Sequence, residues 1–299
     1  GVPTWTMLFS PLTEETHVLI NGYGRSGTGS AGDINPVDFR RRIAENVVSV
    51  LGSLNDRNEW LFGPGDYGLP QNLYQTDFDS PQGEAAYNVA ASSFDFDVFN
   101  GTALPNEGST AGGDSGGPLI ADEKFDVPVI LGVLSGGSRF FQAQPSSSYG
   151  TTSFYQPLFM FWESIVANNS YAYVSAEGGT SNWNNPNHWV QDMDPAYAIE
   201  VDGELQNALP GFSQPGISGE TPQFGEVCFL TICTDLADGS VPLESTGPNS
   251  IYVPGGPGTT GFVPDNVVGD PSQGIKARYY EVTLDQAGAT ILGDSKTID

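Results

Sequence analysis

The residues best placed to do chemistry stand together at Thr110-Ala111-Gly112-Gly113-Asp114-Ser115-Gly116-Gly117-Pro118-Leu119-Ile120. A serine that attacks a carbonyl carbon needs backbone room on both sides and N–H groups aimed at the developing oxyanion. Gly113, Gly116 and Gly117 give that room. Glycine reaches backbone angles closed to other residues, so this loop can turn the Gly113 and Ser115 N–H groups towards one point. Pro118 stops the turn, and Leu119-Ile120 starts an apolar run that reads as a buried strand. A plain glycine-rich turn would have no need of the hydroxyl.

A serine nucleophile also needs a base to take its proton and an acid to orient that base. The chain has two histidines. His17 belongs to an apolar run ending at Gly22-Tyr23-Gly24, where strand register accounts for it as a structural residue. His188 sits in a tryptophan-flanked turn far downstream. Neither has the setting of a catalytic base, so the base and its acid are expected outside this chain.

The elements that must hold Ser115 read as mostly β. Trp5 to Phe9 and His17 to Ile20 are apolar or β-branched around a polar turn. The Gly22, Gly24, Gly27 spacing fits a dinucleotide fingerprint only weakly, because no helix opens directly after it. Phe39, Ile43, Val47, Val48 and Val50-Leu51 recur at helical spacing after Asn35-Pro36, which predicts a helical insertion over about 36–52 with Arg40, Arg41 and Arg42 in its first turns. These arginines read as a solvated face, or as a partner for a buried carboxylate such as Asp114. Val127 to Leu134 is a near-continuous apolar strand running into Ser135-Gly136-Gly137-Ser138. Thr151 to Phe154 reads as another strand, and Pro157 to Ala167 as a helix burying Phe161-Trp162 and Ile165-Val166.

Ten Lys+Arg against 36 Asp+Glu give a formal charge of -26, a field that repels phosphate backbones and anionic membranes. Nucleic acid is excluded as a partner, and no apolar run is long enough to span a membrane as a helix. Cys228 and Cys233 suit a disulfide closing a small loop in a secreted protein, while two thiols without a neighbouring histidine are too few for zinc. Asp77-Phe78-Asp79 and Asp95-Phe96-Asp97 each put two carboxylates on one face of a strand, a pairing calcium can use but solvated strand edges also show. No metal or cofactor is assigned.

Gly-Asp-Ser-Gly-Gly-Pro followed by an apolar strand resembles the nucleophile loop of the trypsin/chymotrypsin-like serine proteases. Gly22-Tyr23-Gly24 likewise resembles the strand that begins the second β-barrel of that fold, and Pro157 to Ala167 its closing helix. The resemblance covers about residues 5 to 168. It implies the second barrel of a double β-barrel, a serine endopeptidase with Ser115 acylated, and an oxyanion hole from the Gly113 and Ser115 N–H groups. It places catalytic histidine and aspartate in a first barrel upstream of residue 22. Gly1 would then fall between the barrels, and a separate or removed upstream half would supply both residues. In such enzymes the aspartate before the serine is buried and paired, so Asp114 is expected to meet a cation.

The resemblance also sets the substrate pocket. Its floor falls at Ser109 with Thr110 beside it, Ser135 and Gly137 line one wall, and Thr151 narrows it. No carboxylate stands there to receive Lys or Arg, and the expectation is a small or medium apolar side chain before the cleaved bond.

Beyond residue 168 the resemblance stops, and residues 169–299 read as an irregular β-rich region. Ala277 to Leu284 and Ala287 to Gly293 repeat a turn-strand rhythm similar to the first rungs of the β-solenoid passenger in bacterial autotransporters. The sequence expectation is therefore a secreted or cell-surface protease acting on protein or peptide. Its rival is a non-catalytic adhesin or structural passenger retaining the scaffold. A third reading, a glycan-binding module, rests on Trp183 and Trp189 as stacking platforms, which core tryptophans explain more simply.

Overall fold

Short β-rich runs separated by Gly, Pro and Asn turns fold as strands, and helices are few. A computed structural model of the protein describes residues 5–81, 97–140, 143–183, 185–211, 221–229, 232–236, 260, 279–283 and 289–292. In chain order the first elements are β1 (Thr6–Leu8), β2 (Thr16–Gly22), β3 (Ser26–Thr28), β4 (Gly32–Asn35), β5 (Arg42–Val48), β6 (Val50–Ser53) and α1 (Leu54–Phe62). Then come β7 (Asn72–Asp77), β8 (Pro118–Ala121), β9 (Val129–Ser138), β10 (Thr152–Pro157) and, after a 3-10 turn, α2 (Trp162–Asn168). The remainder is β11 (Tyr171–Ala176), β12 (Gly179–Asn182), β13 (Trp189–Asp192), β14 (Tyr197–Val201), β15 (Glu204–Gln206), β16 (Glu226–Phe229), β17 (Ile232–Asp235), β18 (Tyr279–Thr283) and β19 (Ala289–Leu292).

Two compact units divide the chain: Gly1–Met160 with Gln214–Glu244, and Phe161–Ser213 with Ser245–Asp299. The described residues 221–229 and 232–236 belong to the first unit.

The first unit is built on one curled, half-barrel sheet in which β5, β2, β8, β9, β10, β7 and β6 are successive antiparallel neighbours. Its two ends, β5 and β6, are consecutive in sequence and separated only by Ser49, whose N–H donates to Gln75 O at 3.1 Å. On β2 the alternation is plain: Val18 and Ile20 are buried, while His17 and Leu19 face the other side. Val18, Leu119, Leu131, Tyr74 and Tyr155 from five strands are all at most 1% exposed, and this is the core the strand pattern demands.

The helix expected over 36–52 is replaced by β5 and β6, and α1 begins only at Leu54. Val47, Val48 and Val50 are stiff at χ1 and fit a pleated surface better than a helix. Their apolar face is also not helical: Val48, Val50 and Leu51 are buried, whereas Phe39 is 82% and Ile43 62% exposed. The helix start is instead marked by Ser53, whose side chain accepts the Asp56 N–H at 3.0 Å. Arg42 therefore opens a strand and forks onto Asp38, with both nitrogens at 2.7 Å, a surface pair that holds the Asp38 carboxyl below its usual range.

In the second unit, β11 pairs in parallel with β18 from Tyr171↔Tyr279 to Ser175↔Thr283. β12 pairs in parallel with β19 from Gly179↔Ala289 to Asn182↔Leu292. Trp189 is fully buried and donates its Nε1–H to Trp183 O at 2.8 Å, with the two rings edge to face at 5.0 Å. A ring packed in this way has no open face for a sugar.

Candidate active site

The loop 110–117 leads into β8 and ends against β9. Gly116 N–H donates to Leu134 O at 3.1 Å and Leu134 N–H to Gly117 O at 2.8 Å, so the residues after Ser115 are pinned to β9. Within the loop, Asp114 N–H donates to Ala111 O at 3.0 Å and Gly117 N–H to Asp114 O at 2.8 Å. Gly113 has φ 106° and Gly116 φ 83°, angles that L side chains rarely adopt. Ser115 is exposed, and among the described residues neither its hydroxyl, its N–H nor the Gly113 N–H has a hydrogen-bond partner. The two expected oxyanion donors are thus among the unbonded N–H groups of the loop, while those of Ala111, Asp114, Gly116 and Gly117 are engaged.

Asp114 meets backbone rather than the expected cation. Its Oδ1 accepts the Gly24 N–H at 2.6 Å and its Oδ2 the Ala111 N–H at 2.9 Å. A Cβ at Gly24 would lie 2.6 Å from Oδ1, and one at Gly22 would run into the same atom, so Gly22-Tyr23-Gly24 is glycine on both sides because the carboxylate rests on it. The Arg42 guanidinium, held mainly by Asp38, also feels the Asp114 charge, and both raise its pKa. Arg25 and Arg42 flank a cleft of about 340 Å³ on this side of the loop, which Asp114 also lines.

A second cleft, of about 470 Å³, adjoins Ser115 itself. It brings together Ser109, Thr110, Gly137 and Thr151, four of the five expected pocket residues, with Ser115. Ser135 is not among its lining residues; it is exposed on β9 and accepts Gln156 Nε2–H at 3.3 Å. Sequence reasoning missed Asp33, Arg139 and Ser147, which also line the cleft, and Ser153, whose Oγ is 2.8 Å from Thr110 Oγ1. Ser153 was detectable only as the residue two beyond Thr151 on a strand, hence on the same face.

Neither histidine lines either cleft. His17 Nδ1 is 3.0 Å from Asp122 Oδ1 at the far end of β2 from Gly22, with Glu123 beyond at 3.8 Å. His188 is buried in the second unit.

Away from Ser115, Asp77, Asp79 and Asp97 turn carboxylate oxygens to within 4.8 Å of one another, so three of the four aspartates of the two Asp-Phe-Asp runs meet; Asp95 and Phe96 lie outside the described residues. Asp77 Oδ2 accepts the Val98 and Phe99 N–H groups, both at 2.9 Å. Burial, and then the neighbouring Asp79 and Asp97, push the Asp77 carboxyl well up. Burial together with Asp97 and Glu107 pushes Asp79 up to about 8.

Cys228 and Cys233 are disulfide-bonded across the β16–β17 hairpin, opposite one another in register. No protein-family model matches the chain, and no curated protein matches it either.

Proposed function

We propose that this chain is the nucleophile-bearing part of a secreted serine endopeptidase similar to the second barrel of the trypsin-like proteases. The observation that carries the reading is the exposed, unpartnered Ser115 hydroxyl beside unbonded Gly113 and Ser115 N–H groups at the mouth of a side-chain-sized cleft. Ser115 Oγ attacks the peptide carbonyl carbon as a histidine removes its proton, and the oxyanion takes the two N–H groups. The C–N bond then breaks, the histidine returns the proton to the leaving amine, and water hydrolyses the acyl-enzyme.

The histidine and its acid come from an upstream half, as a separate chain or a segment removed from this one. Tyr23, Ile34, Val37, Phe39 and Ile43 leave apolar side chains exposed along residues 23–43, with Val37 against Gly113, which suits a surface that such a half covers. The parallel, in-register pairs β11–β18 and β12–β19 favour a β-solenoid beginning in the second unit and a place in an autotransporter-like surface protein. The rival reading, a non-catalytic adhesin or structural passenger, is favoured by the lack of a histidine in either cleft.

The test is fluorophosphonate labelling of the protein as isolated from its source. A label on Ser115, absent from Ser115→Ala, together with a second polypeptide that carries histidine and aspartate, upholds the protease. Absence of label after co-expression with the upstream segment leaves the scaffold reading.

A further inference from the structure

His17 is the histidine of the first unit, and it stands on β2 with two carboxylates beside it. Its Nδ1 lies 3.0 Å from Asp122 Oδ1 and 3.8 Å from Glu123 Oε2, and the three donor atoms are all within 4.8 Å of one another. The sheet brings them together. β2 and β8 pair at Leu19↔Ile120 and Ile20↔Leu119, and the same antiparallel register carried on along both chains sets Asp122 opposite His17, although the two are 105 positions apart. Lys124 Nζ is bonded to Glu14 Oε1 at 2.8 Å, which ties the segment after β8 to the residues just before β2.

Charge and geometry both suit a cation between these groups. Among the described residues neither Asp122 nor Glu123 is paired with Lys or Arg, and one imidazole, even protonated, balances only one of two carboxylates. A chain of formal charge -26 also draws cations to its surface. Imidazole nitrogen and carboxylate oxygen sit about 2.0–2.2 Å from zinc, which puts neighbouring donors roughly 2.9–3.5 Å apart. The His17–Asp122 separation is already inside that range, and Glu123, whose side chain is 71% exposed, needs only a small rotation to enter it. One nitrogen with two oxygens favours the divalent transition metals over calcium and magnesium, which prefer oxygen alone.

We propose that His17 Nδ1, Asp122 and Glu123 form a binding site for a divalent transition-metal ion of the zinc class, which clips β2 to the segment after β8. Three protein donors leave the remaining coordination positions to water. Binding displaces any proton on Nδ1, so affinity falls as the solution is acidified. The site departs from the sequence expectation, in which His17 is structural and no metal is assigned. It is independent of the protease reading, because it lies at the end of β2 away from Gly22 and the Ser115 loop.

The experiment is equilibrium dialysis of the full chain against zinc chloride near neutral pH in buffered salt, with calcium chloride as the competitor. The expected result is one tightly held zinc ion per chain, retained in excess calcium. His17→Ala should weaken zinc binding by at least about tenfold, and so should Asp122→Asn, which keeps the shape of the side chain and carries the test if the histidine variant does not fold. Zinc should raise the thermal midpoint of the parent and leave that of either variant unchanged. No bound zinc, or equal binding by the parent and both variants, overturns the inference. So does loss of zinc in Asp79→Asn but not in His17→Ala, which would move the ion to the Asp77, Asp79 and Asp97 carboxylates. Fluorophosphonate labelling of Ser115 decides the protease reading alone and leaves this result untouched.

Discussion

Asp114 Oδ1 accepts the Gly24 N–H at 2.6 Å, so the residue before Ser115 is anchored just past the end of β2 by its side chain. The other carboxylate oxygen caps Ala111 within the loop, and together they tie the loop to the sheet without any cation in contact. Two peptide N–H groups, with Arg42 acting at longer range, do the work that a salt bridge was expected to do.

Replacing Asp114 with Asn should leave one of the two N–H groups facing an amide NH2. The expected cost is about 1–3 kcal/mol in urea unfolding, with a loss of fluorophosphonate reactivity at Ser115. Gly24→Ala should be worse, because its Cβ would also lie 2.9 Å from the Asp114 backbone nitrogen, which cannot swing away. If both variants unfold like the parent and label normally, the anchor is unimportant.

The carboxylates of Asp77, Asp79 and Asp97 make stability depend on pH in an uncommon direction. A carboxyl whose folded pKa is raised stabilises the fold fully below its unfolded pKa, and that contribution is lost as pH rises through the folded value, about 8 for Asp79. Asp79→Asn should therefore match the parent near pH 4 and exceed it near pH 9, by several degrees in Tm. Paired melts at the two pH values check this. A variant less stable than the parent at pH 9 would contradict it.

Arg57 on α1 is 3% exposed, its Nε has no partner among the described residues, and burial lowers its pKa to about 10. Its guanidinium lies over the Phe154 ring at 5.0 Å and the Phe140 ring at 5.5 Å. Arg57→Met keeps the contact surface and removes the buried charge, so it should unfold at equal or higher urea than the parent. Arg57→Ala, which removes the packing as well, should unfold earlier.

Reducing the Cys228–Cys233 bond reopens a short loop, worth about 2 kcal/mol by loop-closure entropy. The hairpin packs Val227 against a cluster that includes Val50, Val98 and Phe99, and Cys228 N–H donates to Val98 O at 2.8 Å. Hydrogen exchange with and without reductant should show the 226–235 amides losing protection before those of β2 and β9. Uniform loss across all three would mean that the hairpin is not a separate layer of stability.

The loop around Ser115 was legible because its signal is local: glycines, one hydroxyl and a following apolar strand within eleven residues. The strands around it were legible for a similar reason. The segment 36–52 was not, since Phe39, Ile43 and Val47 fall at helical spacing by coincidence, and only the pairing of β5 with β2, from Thr16↔Val48 to Gly22↔Arg42, decides for strand. That Ser153 meets Ser109 and Thr110 was not legible, because the contact joins residues more than forty apart in the chain. The partner of Asp114 was equally hidden, because a peptide N–H carries no sequence signature.

The return of residues 214–244 to the first unit means that the polypeptide crosses between the two units three times. No single cut can release the unit that carries Ser115 whole. A fragment ending at residue 168 would keep Ser115 and both clefts but lose the Cys228–Cys233 hairpin, baring Val50, Val98 and Phe99. To excise the unit as a working part, residues 161–213 would have to be replaced by a linker, so that the hairpin could still find its seat.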